Sequence, residues 1–331
     1  MITRLSDEAL ELADALERTL AAAEGVGLLR AASTDPSQRQ TMADSLIAPS
    51  GAWELSPLDD QLELEAAAAA SRAVGRVAFP YPVVERIAHE DGAEATALIG
   101  RSGHRMAEHV DLPLDWSALD LTGRRYRVTG TGEHGGGKLG RFASVIEVAP
   151  VSGAPALRRA ALLASLQQWW LLGLLDSALS STVRYAGERE QFGRRLRAFQ
   201  GVSFQLAESS VEVRALDALA RYTLWSVANN EPETALTDAV ALRVAGLRAA
   251  GVVLHTAHQV HGAMGFTDEV DVSWLSRASQ SVRRLPEDAA RTVGLLHELV
   301  AANGFEGLPG AAASAHAASR ITESGAAGVT A

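Results

Sequence analysis

The sequence predicts a mainly α-helical protein interrupted by one small β-module. Three observations lead there. From Ala156 to about Asn303, apolar residues recur at helical spacing. Residues 93–153 switch to short apolar or alternating runs separated by glycines. Residues 1–92 hold helical segments opened by Ser, Asp and Pro. The resulting division is an N-terminal helical domain at 1–92 and a β-module at 93–153. A C-terminal four-helix bundle at 154–305 and a disordered tail at 306–331 complete it.

Each element has a local reason. Ser6 caps a helix running to about Ala23, with Asp7 and Glu8 in its first turn, where the helix dipole favours acids. "TDPSQRQTMADSLI" offers Asp35 as cap and Pro36 at the first helical position, and "SPLDDQLELEAAAAASRAVGRVAF" repeats the pattern with Ser56 and Pro57. "FPYPVVERIA" breaks that helix and starts a short new one. In the β-module, "EATALIG", "RRYRVTG" and "FASVIEVAP" read as strands, and "GTGEHGGGKLG" as a flexible loop. Five or six strands are the most that this length holds.

The bundle has four predicted stripes. Leu162, Leu166, Trp169 or Trp170, Leu174 and Leu179 form the first, and Val202, Leu206, Val213, Leu216, Leu219, Leu224 and Val227 the second. Leu236, Val240, Val244, Leu247, Leu254 and Ala257 form the third, and "LPEDAARTVGLLHELVAANG" carries the fourth. Trp169 and Trp170 lie about 100° apart on a helix. One of them therefore has to face a subunit interface or the β-module. The tail "GLPGAAASAHAASRITESGAAGVTA" is small and polar, which predicts disorder.

Composition narrows the function. The formal net charge of −10 argues against a nucleic-acid ligand. With no cysteine, disulfides, thiolate nucleophiles and cysteine metal sites are excluded. The acidic start lacks a signal-peptide pattern, and "ALLASLQQWWLLGLLDSALS" is too short and polar for a membrane span. These features predict a cytoplasmic protein.

Two motifs stand out: "YAGEREQFGRRLRAFQ" in the turn between the first two bundle helices, and "HQVHGAMGFTDE" after the third. Singly, each reads as a glycine turn with charged flanks. Together, about 70 residues apart, they resemble the acyl-CoA dehydrogenase family, over Ala156–Leu285 and more loosely over residues 1–90. The resemblance implies a helical domain, a β-domain and a four-helix bundle. It implies α,β-desaturation of an acyl-CoA with electrons passed to an electron-transfer flavoprotein. It also implies FAD shared at a subunit interface, with Arg189 on the pyrophosphate through a bidentate guanidinium. Gln191 and Phe192 match positions lining the cofactor. Gln259, Val260, His261, Gly262 and Ala263 match a segment passing close to the ADP half, Ala263 standing where the pattern has a second glycine. Arg194, Arg195 and Arg197 read as surface charges. His255, His258 and His261 recur every three residues, yet no metal-site motif accompanies them.

The resemblance also exposes two losses. The family's base is a glutamate placed on the first bundle helix, here Leu163, or about twenty residues after Gly265–Phe266, here near Pro286. No acid occurs between Glu147 and Asp176. Glu287 is one residue out of register, lacks the glycine that normally follows, and reads equally as a helix start. It is a weak candidate base. The β-module is short, with no counterpart of the flavin-ring cradle between Ala95 and Gly130. Some bacterial members, notably those acting on steroid side chains, are α2β2 heterotetramers whose small subunit is degenerate. The chain resembles that subunit. The expectation is a non-catalytic subunit lending ADP-side contacts to a larger partner. A self-sufficient dehydrogenase with Glu287 as base, and a repurposed fold that works without flavin, are the alternatives.

Overall fold

The computed structural model describes residues 2, 4–101, 105–134 and 142–304, with the side chains of 133 and 134 left aside. The predicted tail and most of the glycine-rich loop lie outside these residues. The chain runs α1 (Asp7–Ala22), α2 (Gly27–Thr34), α3 (Gln38–Leu46), α4 (Gln61–Arg76), α5 (Val83–Ile87), then β1 (Ala95–Ile99), β2 (Met106–Glu108), β3 (Trp116–Asp120), β4 (Arg125–His134) and β5 (Ala143–Pro150). It continues with α6 (Leu157–Glu188), a hairpin of β6 (Glu190–Gln191) and β7 (Arg194–Arg195), α7 (Gln200–Asn229), α8 (Pro232–His261), α9 (Asp271–Arg284) and α10 (Ala289–Asn303).

Ser6 caps α1 as expected, its hydroxyl accepting from the Ala9 amide at 3.3 Å. Two caps differ from expectation. Asp35 closes a turn onto the Ser37 amide, so α3 starts only at Gln38 and α2 precedes it. Asp60 caps α4 by accepting from Leu62 and Glu63, and the Ser56–Pro57 segment is a turn outside the helix. At Asp60 a carboxylate with two amides in reach displaces the weaker Pro signal.

The five strands form one sheet in the order β1-β3-β4-β5-β2, with β1 parallel to β3 and the other pairs antiparallel. β2 and β3 escaped sequence reading because they are short and lack alternation. β4 extends to His134, so part of the predicted loop is strand. Ala95, Ala97, Ile99, Trp116, Ala118, Tyr126 and Ile146 make a separate core within the sheet.

The helix α6 is the centre of the molecule. The expected single stripe is wrong for it: Leu162, Leu163, Leu171, Leu172, Leu174 and Leu175 are all fully buried. A helix apolar all round is one surrounded by others, and α6 packs on α4, α7, α8 and α9. The unpredicted α9 sits between the third and fourth predicted helices, so among the described residues the C-terminal region has five helices, not four. Arg243, fully buried on α8, pins it by donating to the carbonyls of Val282 at 3.0 Å, Leu285 at 2.7 Å and Glu287 at 2.8 Å. The segment Pro232–Phe266 is long and apolar enough to cross a membrane, but 56% of its most apolar window is buried inside the protein. It serves as a core helix.

Where α4 crosses α6 the backbones touch. A Cβ on Gly75 would lie 2.0 Å from the Trp170 carbonyl oxygen, and one on Gly173 2.0 Å from the Arg72 oxygen. Only glycine permits that approach. Arg72 and Arg76 seal the rim, Arg72 with Asp176 and Asp217 at 2.8 Å each and Arg76 with Glu17 at 2.7 Å. Gly173→Ala is expected to destabilise the chain by about 1–3 kcal/mol or more, because the helices must part. Gly251→Ala, exposed on α8 with open space around it, should be neutral or stabilising by up to ~1 kcal/mol. Thermal melts of both variants check the contrast.

Candidate functional site

The end of α6 builds the first site. Arg189 terminates that helix in an extended conformation, its amide still donating to the Tyr185 carbonyl at 2.8 Å. The next residues turn back at once: Glu190 pairs with Arg195 and Gln191 with Arg194. Two residues close the hairpin, Phe192 at φ 53° and Gly193 at φ 74°. Tight hairpins of this kind need positive φ at both positions. Glycine supplies it freely, whereas phenylalanine is strained there, a cost of about 1–3 kcal/mol. The strain holds Phe192 outward, 92% exposed. Its ring meets Phe199 edge-on at 6.4 Å, and the Arg194 guanidinium lies 3.9 Å from the Phe199 ring centre.

The second wall is the end of α8. His261 is buried, stacked on Tyr185 at 4.4 Å, with Nδ1 donating to the Ala257 carbonyl at 2.8 Å. Burial lowers its pKa, only partly opposed by that bond, so it is neutral near pH 7. Gly262 then ends the helix at φ 59° and ψ −139°, a conformation for glycine. Ala263 follows, exposed, in a 3₁₀ turn over Gly262–Phe266.

These walls enclose one open groove of about 630 Å³. All eight residues named from the two motifs line it: Arg189, Gln191, Phe192, Gln259, Val260, His261, Gly262 and Ala263. Arg189 is exposed, and among the described residues its guanidinium has no hydrogen-bond or ion-pair partner. Arg194, Arg195 and Arg197 are exposed as expected. Around the groove the surface is apolar: Phe204 is 64% exposed and Phe266 72%. The first turns of α7, up to Glu208, contain no buried residue. No group of three metal-ligating side chains occurs among the described residues. His258 instead stacks on Phe266 at 4.7 Å.

Glu287 is held by neighbouring arginines, although its Oε2 is buried without a hydrogen-bond partner. It is buried, accepts the Arg101 amide at 2.9 Å, and faces the Arg101 and Arg291 guanidinium groups at 3.7 and 3.8 Å. It lines neither the groove nor the interior cavity. Leu163 is fully buried.

That cavity is the second site, and sequence reading missed it. It lies between α5, α6, α9 and the sheet, about 70 Å³ in volume. Trp170 lines it together with Ala97, Leu98 and Ala107 of the sheet, while its neighbour Trp169 is buried in the helical core. Two carboxylates, Glu85 and Glu108, also line it. Both lie deep, yet each keeps part of its surface free because the cavity touches it. Burial, with the charge of Glu85 adding to it, pushes Glu108 up to about 8 against the pull of Ser281 and Arg39. Burial raises Glu85 as well. Nearby His109 is pushed down to about 3 by burial and by Arg39. The only hints in the sequence were isolated acids, one in the apolar "PVVERIA" and one in "HRMAEHVDL".

Residues 165–285 match the family described as acyl-CoA dehydrogenase, C-terminal domain. The 3-sulfinopropanoyl-CoA desulfinase of Paraburkholderia xenovorans is 33% identical over 107 residues, 32% of this chain and 26% of that protein. The acyl-CoA dehydrogenase FadE28 of Mycobacterium tuberculosis is 36% identical over 93 residues, 28% of this chain and 27% of that one. The aligned stretch is thus about a quarter of the length of these relatives. Among solved structures, the ChsE4-ChsE5 complex from Mycobacterium tuberculosis superposes with a TM-score of 0.69 at 18% identity, covering 93% of this chain and 100% of that one. A Tcur3481-Tcur3483 steroid ACAD variant gives 0.68 at 18%, covering 89% and 98%. The class is therefore a helical fold with a small sheet and a C-terminal helical domain. Its C-terminal region, residues 165–285, is similar to the acyl-CoA dehydrogenase family, and the chain as a whole shares its fold with the solved structures named.

The pH dependence of the carboxylate pair is testable. Folding holds a proton on Glu108 up to about pH 8 that the unfolded chain releases near 4.5. The folded state therefore binds more protons, and stability falls as pH rises through that window. Nothing is lost below it. Glu108→Gln should match the parent near pH 5 and exceed it increasingly towards pH 8, by at most ~1.4 kcal/mol per pH unit. Denaturant melts at pH 5, 7 and 9 check this; parallel profiles would contradict it.

Proposed function

We propose that this chain is a non-catalytic subunit of a heteromeric FAD-dependent acyl-CoA dehydrogenase. In this reading a larger partner seats the flavin ring and carries the base that removes the α-proton of an acyl-CoA thioester. FAD supplies the hydride acceptor, with an electron-transfer flavoprotein downstream. This chain's residues hold the other end. Arg189 offers a bidentate fork to the pyrophosphate, while Gln191 and the Gln259–Ala263 segment border the ADP half. The α2β2 arrangement brings the groove of each such chain to a flavin on its partner.

The observation that carries the reading is the convergence of all eight motif residues on one open groove bearing an unpaired arginine. The exposed Phe192, Phe204 and Phe266 around it suit a surface covered by another subunit. The two places where the family keeps its base hold a buried leucine and a glutamate committed to Arg101. That weighs against a self-sufficient enzyme with Glu287 as base. Two structural neighbours are themselves complexes or steroid dehydrogenases by name, which fits a heteromer and a steroid-type substrate.

The test is Arg189→Ala in the complex co-expressed with the larger subunit. Charge-assisted contacts are worth about 1.5–3 kcal/mol, so flavin retention should weaken roughly 10- to 150-fold while the helical CD signal and melting stay close to the parent. An unfolded variant whose residual folded fraction keeps full flavin would overturn the assignment of Arg189.

A further inference from the structure

The interior cavity plays no part in the groove at the bundle end. Its volume of about 70 Å³ admits a few waters, or an organic group of roughly two to four non-hydrogen atoms. Its polar lining is rich in acceptors. Gln167 donates Nε2 to Glu85 Oε1 at 3.3 Å, which leaves its own Oε1 shut away from solvent with no donor. Glu85 and Glu108 add four carboxylate oxygens, and the Ser281 hydroxyl beside Glu108 donates to the Ala278 carbonyl at 3.2 Å. Phe79, Tyr81 and Trp170 supply aromatic wall.

Among the described residues, no cation lines the cavity beside these acceptors. Neither arginine nor lysine lines the cavity. Arg39 is the charged group nearest in effect, but its guanidinium is committed to both Asp111 oxygens and to His109. Arg86, next to Glu85 on α5, donates to the Tyr81 hydroxyl and lies over the Trp53 ring. His109 is neutral. Two largely buried carboxylates, with the already committed Arg39 pulling on Glu108, are costly to ionise unless they hold protons or receive a cation.

We infer that this cavity binds a small organic ammonium group, held by Glu85, Glu108 and the Gln167 amide oxygen within a wall of aromatic rings. Three N–H donors match three acceptor groups, and the rings favour a cation over their faces. A hard metal ion is a poor fit, since it demands six or more oxygen ligands and no group of three metal-ligating side chains occurs among the described residues. An anion would meet repulsion from both carboxylates. Access exists: a wider cleft of about 680 Å³ between α2 and α9 shares Phe79, Glu108, His109 and Trp170 with the cavity. The rest of a longer ligand would lie in that cleft, where Asp268, Trp274 and Arg277 stand.

Binding of this kind is linked to protons. The groups facing Glu108 are Glu85 from α5, Arg39 from α3, and Ser281 from α9. His109 and Asp111 adjoin Arg39 on the segment after β2. Glu108 holds a proton near neutral pH, and an arriving ammonium displaces it. Affinity therefore rises with pH until Glu108 has ionised.

The experiment is calorimetric titration of the full chain with methylammonium and propylammonium chloride at pH 6.5 and 8.5. Two buffers of different ionisation heat count the protons released. We expect binding that tightens about tenfold between the two pH values, with close to one proton released per ligand at pH 6.5. Glu108→Gln should weaken it at least tenfold without loss of helical signal. No binding, equal binding of methanol or propanol, pH-independent affinity, or full affinity in the variant would each overturn the assignment.

Discussion

The backbone contact between α4 and α6 sets the geometry on which both sites depend. Gly75 and Gly173 let the two helices meet at carbonyl distance, with no side chain between them. The Trp170 carbonyl occupies the space a Cβ on Gly75 would fill, so this crossing fixes where Trp170 sits and thereby one wall of the interior cavity. The same helix runs 32 residues, about 48 Å at 1.5 Å per residue. Its far end delivers Tyr185 and Arg189 to the groove. One rod thus links an interior acidic cavity at one level to an open groove with an arginine at the other.

The two sites have opposite electrostatics and opposite relations to solvent. The groove lies open, carries an unpaired guanidinium and a strained phenylalanine, and is bordered by apolar surface. All three features are costly or neutral in an isolated chain and become favourable when an anionic cofactor and a second subunit cover them. The cavity is narrow, acidic and reached through the cleft between α2 and α9. Burial raises the pKa of both its carboxylates, that of Glu108 to about 8. Glu287 belongs to neither. Its burial against Arg101, beside carbonyls held by Arg243, makes it part of the brace that seats α9 and α10.

The groove was legible in the sequence because its residues lie in two contiguous motifs whose turns need particular residues: Gly193 to close the hairpin and Gly262 to end α8. The helical ends and the major strands were legible for the same local reasons. The cavity was not, because Glu85, Glu108, Gln167 and Ser281 come from four distant segments, and only tertiary packing strips them of water. α9 was hidden by its polarity: it buries serines along with Val272, Leu275 and Val282, so its apolar stripe is thin. The caps at Asp35 and Asp60 turned on which of two neighbouring polar residues captures the free amides, a contest that spacing alone does not decide.

In the proposed function this chain completes a flavin site that the larger subunit owns. Native mass spectrometry of the complex with the larger subunit, combined with flavin absorbance per protein, tests it most directly. Two FAD per α2β2 tetramer, with the chain alone colourless, is the predicted result. Four FAD per tetramer, or a yellow and active homo-oligomer of this chain, would contradict it.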